Sequence, residues 1–116
     1  LIISQKGAAG IMVEKVYRLA HGDSKIIEKV LFDENIHYIH MILNKAEGPP
    51  VHYSNSNVYM TVVRGILSIG LDDAGPRKYP AGTLLKIPQG TKMDIKNQHD
   101  MTLELIVVKA PAPGKP

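Results

Sequence analysis

The chain has no cysteine and no tryptophan, and only one phenylalanine among its 116 residues. Without cysteine there are no disulfides and no thiolate metal sites, and nothing in the chain demands an oxidising compartment. A cytoplasmic location is the expectation. With so few aromatic rings there is little to stack on nucleobases. No apolar run approaches the ~20 residues that span a bilayer, so neither a membrane nor a nucleic acid is expected as a partner. The charge excess is small, +3, and no block of basic residues forms, Arg77-Lys78 being the only adjacent Arg/Lys pair. Acids are interspersed with the bases, which reads as a solvated surface rather than a polyanion footprint.

What is present is mostly strand. The 44% apolar content and the length fit one globular domain. Residues 1–11, LIISQKGAAGI, differ in character from the rest of the chain and read as a leader or a cloning remnant ahead of Met12. Residues 12–110 are the expected folded domain. Residues 111–116 read as a flexible, proline-rich tail, since proline removes ladder donors. Val13–Leu19 alternates loosely. Lys25–Phe32 and Ile36–Leu43 are β-branched and apolar around the polar turn Asp33-Glu34-Asn35. Val58–Val63, Ile66–Leu71, Thr83–Ile87, Met93–Lys96 and Thr102–Lys109 complete the expected strands, punctuated at Gly48-Pro49-Pro50, Arg64-Gly65, Asp72–Pro76 and Pro88-Gln89-Gly90. No stretch keeps a helical period. About eight short strands with frequent turns point to a sandwich or closed barrel, which hides sheet edges.

Gly82 to Asn97 reads GTLLKIPQGTKMDIKN, or G-x5-P-x-G-x2-M-x3-N. This resembles the second cupin motif, G-x5-P-x-G-x2-H-x3-N, with Met93 in place of the histidine. Upstream, His52 to Gly65 reads HYSNSNVYMTVVRG. It is similar to the first cupin motif, H-x-H-x3-E-x6-G, at both ends. Ser54 stands where the second histidine would be and Val58 where the glutamate would be. Gly48 lies two residues closer to His52 than the usual pattern has it. The resemblance covers roughly residues 25 to 110 and implies an all-β, single-domain cupin-type barrel (a jelly roll, or double-stranded β-helix). The kept positions are architectural: Gly82 and Gly90 suit tight turns where a Cβ would clash, Pro88 can end a strand, and Asn97 suits a left-handed turn.

Metal-binding members of the family hold Fe, Mn, Ni, Zn or Cu at the positions that map to His52, Ser54, Val58 and Met93. One imidazole remains of four ligands, so no cofactor is expected. A His52–Met93 pair for Cu(I), or a divalent transition metal on a rebuilt site of His52 with His37 or His40, are the exceptions to test. His37 and His40 are three apart on one strand, so at most one of them enters the barrel. His21 and His99 fall in turns and read as solvated. Tyr59 is one residue off the glutamate position and points the other way.

The expected function is a metal-free barrel binding a small molecule at the former metal site, with His52, Ser54, Val58, Met60, Met93 and His40 around it. An apolar floor of Val58 and Met93 with His52 at the rim suits an apolar body carrying one polar handle. An enzyme is the second reading, an isomerase, epimerase or oxygenase-like cupin using His52, the one catalytic candidate, as base or metal ligand. Asp94 neighbours Met93 but faces away. The His–Asp pair and Tyr of the metal-free sugar epimerases among cupins have no counterpart in this sequence. The third reading is a non-catalytic structural or interaction module, in which Val58, Met60 and Met93 simply fill the barrel. Resemblance to small cupins also implies a homodimer, with Val13–Leu19 as the segment that meets a partner's edge.

Overall fold

The computed structural model of the chain describes residues 2–3, 6–7 and 10–114, with side chains from residue 12 onward. Its strands are β1 (Ile2–Ile3), β2 (Lys6–Gly7), β3 (Gly10–Ile11), β4 (Val16–Tyr17), β5 (Ile26–Phe32), β6 (His37–Leu43), β7 (His52–Tyr53), β8 (Asn57–Arg64), β9 (Ile66–Leu71), β10 (Arg77–Pro80), β11 (Leu84–Ile87), β12 (Lys92–Ile95) and β13 (Leu103–Ala110). No helix occurs among the described residues, hence none long and apolar enough to cross a membrane. The longer strands fall where the sequence pattern puts them, mostly within a residue or two at each end. The exception is Val13–Leu19, of which only Val16–Tyr17 is strand, pairing with Ile2–Ile3.

Two antiparallel sheets make the barrel. One has the order β11-β8-β13-β6-β5 and the other β10-β9-β12-β7, so most neighbours are distant in sequence. Strand alternation sends Ile39, Met41 and Leu43 of β6, Val58, Met60 and Val62 of β8, and Leu103, Leu105 and Val107 of β13 to the interior of the first sheet. They meet Leu67 and Ile69 of β9 and Met93 and Ile95 of β12, with Ile87 closing one end. This is the jelly roll that the motif spacing implies.

Local chemistry fixes the corners. Gly65 carries the chain from β8 in one sheet to β9 in the other at φ 82°. A Cβ there would also lie 2.4 Å from the Thr102 carbonyl oxygen. At Gly82 and Gly90 the expectation of a clash is corrected: a Cβ would meet nothing within 4 Å, and glycine is required by the backbone, at φ 91° and 86°. Asn97 is also corrected. It is fully buried and not among the left-handed residues. Its side-chain amide donates to the carbonyls of Leu43 (3.0 Å) and Met101 (2.8 Å) while its Oδ1 accepts the His99 N–H. It stitches the end of β6 to the turn before β13, satisfying groups that would otherwise be buried unpaired.

The expected flexible tail is anchored where it is described. Ala112 is buried, its N–H donates to the Asn35 carbonyl at 2.9 Å, and the Ser56 hydroxyl donates to the Pro111 carbonyl. An apolar methyl and two hydrogen bonds hold residues 111–112 to the barrel despite the prolines. Lys115 and Pro116 lie outside the described residues, and the expectation of a leader or remnant at residues 1–11 falls where only part of the backbone is described.

Gly65→Ala combines a forced left-handed backbone with a backbone clash and should lower the unfolding free energy by more than about 2 kcal/mol. Gly70→Ala is the control, since its Cβ would meet only ordinary contacts at 3.7 Å. Urea denaturation of the two variants checks the contrast.

Candidate functional site

Of the positions that correspond to metal ligands in the cupin motifs, Ser54, Val58 and Met93 are buried and His52 is exposed. Val58 and Met60, on the inner face of β8, are both 0% exposed, and Met93 on β12 is 2% exposed. At that exposure no water-sized void touches the first two, and their methyl and thioether groups are ordinary core contacts. Ser54 is buried, but its hydroxyl is already committed: Oγ donates to the Pro88 carbonyl (2.8 Å) and accepts the Thr91 N–H (3.0 Å). It locks the Pro88–Gly90 turn rather than facing an interior space. His52 lies opposite Met93 in the ladder between β7 and β12, exposed at the rim. Its Nδ1 is 2.9 Å from the Pro50 carbonyl. That acceptor fixes the Nδ1–H tautomer and leaves Nε2 as the basic atom.

This donor set does not fit the family's metal. One exposed imidazole, a hydroxyl spent on backbone, a valine and a buried thioether supply neither the charge nor the number of ligands that first-row ions need. Among the described residues no three His, Asp or Glu side chains come together to hold an ion.

Of the two partners considered for His52 in a rebuilt site, His40 is corrected. Ile39, Met41 and Leu43 take the interior, so parity turns His40 outward, away from His52. It is nevertheless 0% exposed, because two carboxylates and the chain before β5 cover it. Its Nδ1 is 3.1 Å from Glu28 Oε1 on β5, and its Nε2 is 2.7 Å from Glu104 Oε2 on β13. Glu104 Oε1 in turn lies 3.2 Å from Arg64 Nε. The terminal nitrogens of Arg64 donate to Asp23 Oδ1 (2.7 Å) and the Gly22 carbonyl (2.8 Å), and Glu28 Oε1 accepts the Ala20 N–H at 3.0 Å. The network straps residues 20–23 across the outer face of the five-stranded sheet. An open cleft there is lined by Leu19, Ala20, His21, Arg64 and Glu104.

His37 does lie on the inner face, but at its edge, where it stacks on Phe32 at 3.6 Å between ring centroids. His21 is exposed, as expected. His99, read as solvated, is half-buried, with Nε2 3.2 Å from Ser68 Oγ. Tyr59 shares the outer face with Lys86, whose ammonium sits 5.8 Å from its ring centroid. Of the residues expected at the site, Val58, Met60 and Met93 are brought together as core, and His52 adjoins Met93 across the ladder from its exposed position.

No family model matches the chain. It is 37% identical over 105 residues to an uncharacterised protein of Methanocaldococcus jannaschii, covering 90% of each. The crystal structure of an RmlC-like cupin family protein with a double-stranded β-helix fold from the same organism superimposes with a TM-score of 0.85 at 37% identity, over 88% of this chain and 94% of that one. The chain belongs to the RmlC-like cupin family. The fold extends to much more distant cupins. A cupin superfamily protein of Desulfitobacterium hafniense matches with a TM-score of 0.67 at 10% identity over 80% of this chain and 83% of that one. The cupin domain of Schizosaccharomyces pombe Cnp3 matches with 0.69 at 11% identity over 96% and 86%.

Removing His40 leaves two carboxylates facing each other with no donor between them. His40→Ala should cost about 2–4 kcal/mol in unfolding free energy. Native-state hydrogen exchange should show residues 20–23 opening first; unchanged protection there would contradict the strap.

Proposed function

We propose that this cupin works as a metal-free, homodimeric interaction module rather than as a metalloenzyme. The observation that carries this reading is the packing at the former metal position, where Val58, Met60 and Met93 are 0%, 0% and 2% exposed. A site that must admit a metal, a water and a substrate needs an open coordination position. The small-molecule site expected beside Met93 draws no support from that packing. The absence of cysteine fits a reducing, cytoplasmic setting.

Two observations support the homodimer. Among the described residues the β1–β4 pair is a two-stranded sheet with no third strand, and such ribbons are marginal in water unless a further surface covers them. Val13, three residues ahead of β4, is 99% exposed. Beside it the outer sheet face offers an apolar cleft of Tyr17, Leu19, Val30, Leu31 and Tyr38. A second copy of the chain would cover both.

The test is elemental analysis of protein incubated with Mn, Fe, Ni, Cu and Zn and then desalted, beside light scattering of the same sample. The reading expects far less than one metal per chain, no change in His52→Ala, and a dimer mass. Near-stoichiometric metal that His52→Ala removes would overturn the metal-free reading, and a monomer would overturn the dimer.

A further inference from the structure

We propose that Lys29, His37 and Lys109 form a binding site for a small oxyanion, a carboxylate or phosphate group, at the rim of the barrel. The register sets it up. Lys109 of β13 is directly opposite His37 of β6 and directly opposite Val58 of β8, and His37 is opposite Phe32 of β5. Directly paired residues share a face, so Val58, Lys109, His37 and Phe32 form one row across four strands. Its inner end is the valine at the position of the family's carboxylate, and its outer members are cationic or cation-bearing. Phe32 organises the outer end: His37 stacks on its ring with an interplanar angle of 4°, and Lys29 Nζ sits 5.4 Å from its centroid.

Like charges facing one another across a ladder are unfavourable, and strand pairs ordinarily relieve them with a carboxylate. This cluster has little such relief. Among the described residues, none of the three bases forms an ion pair within 4.0 Å. Lys109 Nζ donates instead to the neutral Asn55 Oδ1 at 3.1 Å. The nearby carboxylate, Asp33, has Oδ1 held by its own turn, accepting the N–H groups of Asn35 (2.8 Å) and Ile36 (2.9 Å). Those backbone bonds, with smaller help from His37 and Lys15, hold Asp33 below the usual carboxylate range. Burial, then the charges of Lys109 and Lys29, hold the His37 imidazole below its ordinary 6.5 against the opposing pull of Asp33. Burial, then Lys29, likewise lowers the Lys109 ammonium. The fold therefore bears an electrostatic cost at this rim that one bound oxyanion would remove, accepting charge-assisted hydrogen bonds from groups with few other partners.

The test tracks the His37 ring resonances by NMR while inorganic phosphate or acetate is added at constant ionic strength, with sodium chloride as the matched control. Exposed His52 is the internal reference. The proposal expects saturable shifts at His37 and a rise in its titration midpoint with phosphate, acetate or both, but not with chloride. Lys29→Gln, at an exposed position, should weaken the response about two- to fivefold without unfolding the protein. An acetate response alone would assign the site to carboxylates, and a phosphate response alone to phosphates. Equal movement with chloride, no movement, or an unaltered response in Lys29→Gln would each overturn it. Stability gives a second readout. Because folding holds the His37 imidazole low, protons bind better to the unfolded chain, so its contribution is full above about pH 6.5 and declines as pH falls. Phosphate should flatten that decline in the wild type and leave His37→Gln unaffected.

Discussion

The close packing of two inner sheet faces on one another is the constraint on which the rest of this molecule depends. Nine side chains from β6, β8 and β13 fill one side of the interior and those of β9 and β12 the other. Val58 and Met93, at positions that hold ligands in metal-binding cupins, are part of that filling and contribute apolar burial to it. Polar and charged side chains gather instead at the edges of the sheets and on their outer faces.

Two polar clusters occupy those places, and they differ in how their charges are balanced. On the outer face His40 sits between Glu28 and Glu104, with Arg64 as the next member of the chain of contacts. Every charged group there has an opposite or hydrogen-bonding neighbour, and the result is structural, tying residues 20–23 down over the sheet. At the rim, Lys29, His37 and Lys109 have no ion pair among the described residues, and only the neutral Asn55 accepts from Lys109. That difference in charge balance is what makes the rim cluster the candidate for binding an anion from solution.

The architecture is legible in the sequence because its rules are local. Gly82 and Gly90 mark turns that need positive φ, Pro88 stands just past the end of β11, and the apolar alternation of β8 and β13 sends the right residues inward. The polar clusters are not legible there, because their members are far apart in sequence and meet only through ladder register. His40 and Glu104 are separated by 64 positions. The segment HYIHMIL has apolar residues on both parities, so nothing in it says whether His37 or His40 faces inward. The place of Asn97 in the motif is explained by three side-chain hydrogen bonds, not by the backbone conformation that its residue type suggests. In the tail, composition speaks for the prolines and is silent on the buried methyl of Ala112, which anchors it.

The most direct test of the central claim is to restore the family's carboxylate with Val58→Glu and measure unfolding free energy with and without added Mn, Ni or Zn. If the interior is core, the variant places a charge among apolar groups without a partner, loses several kcal/mol, on the order of 3 or more, and is not rescued by metal. A variant as stable as the wild type, or one whose lost stability returns on adding metal, would mean that the metal site is dormant rather than gone.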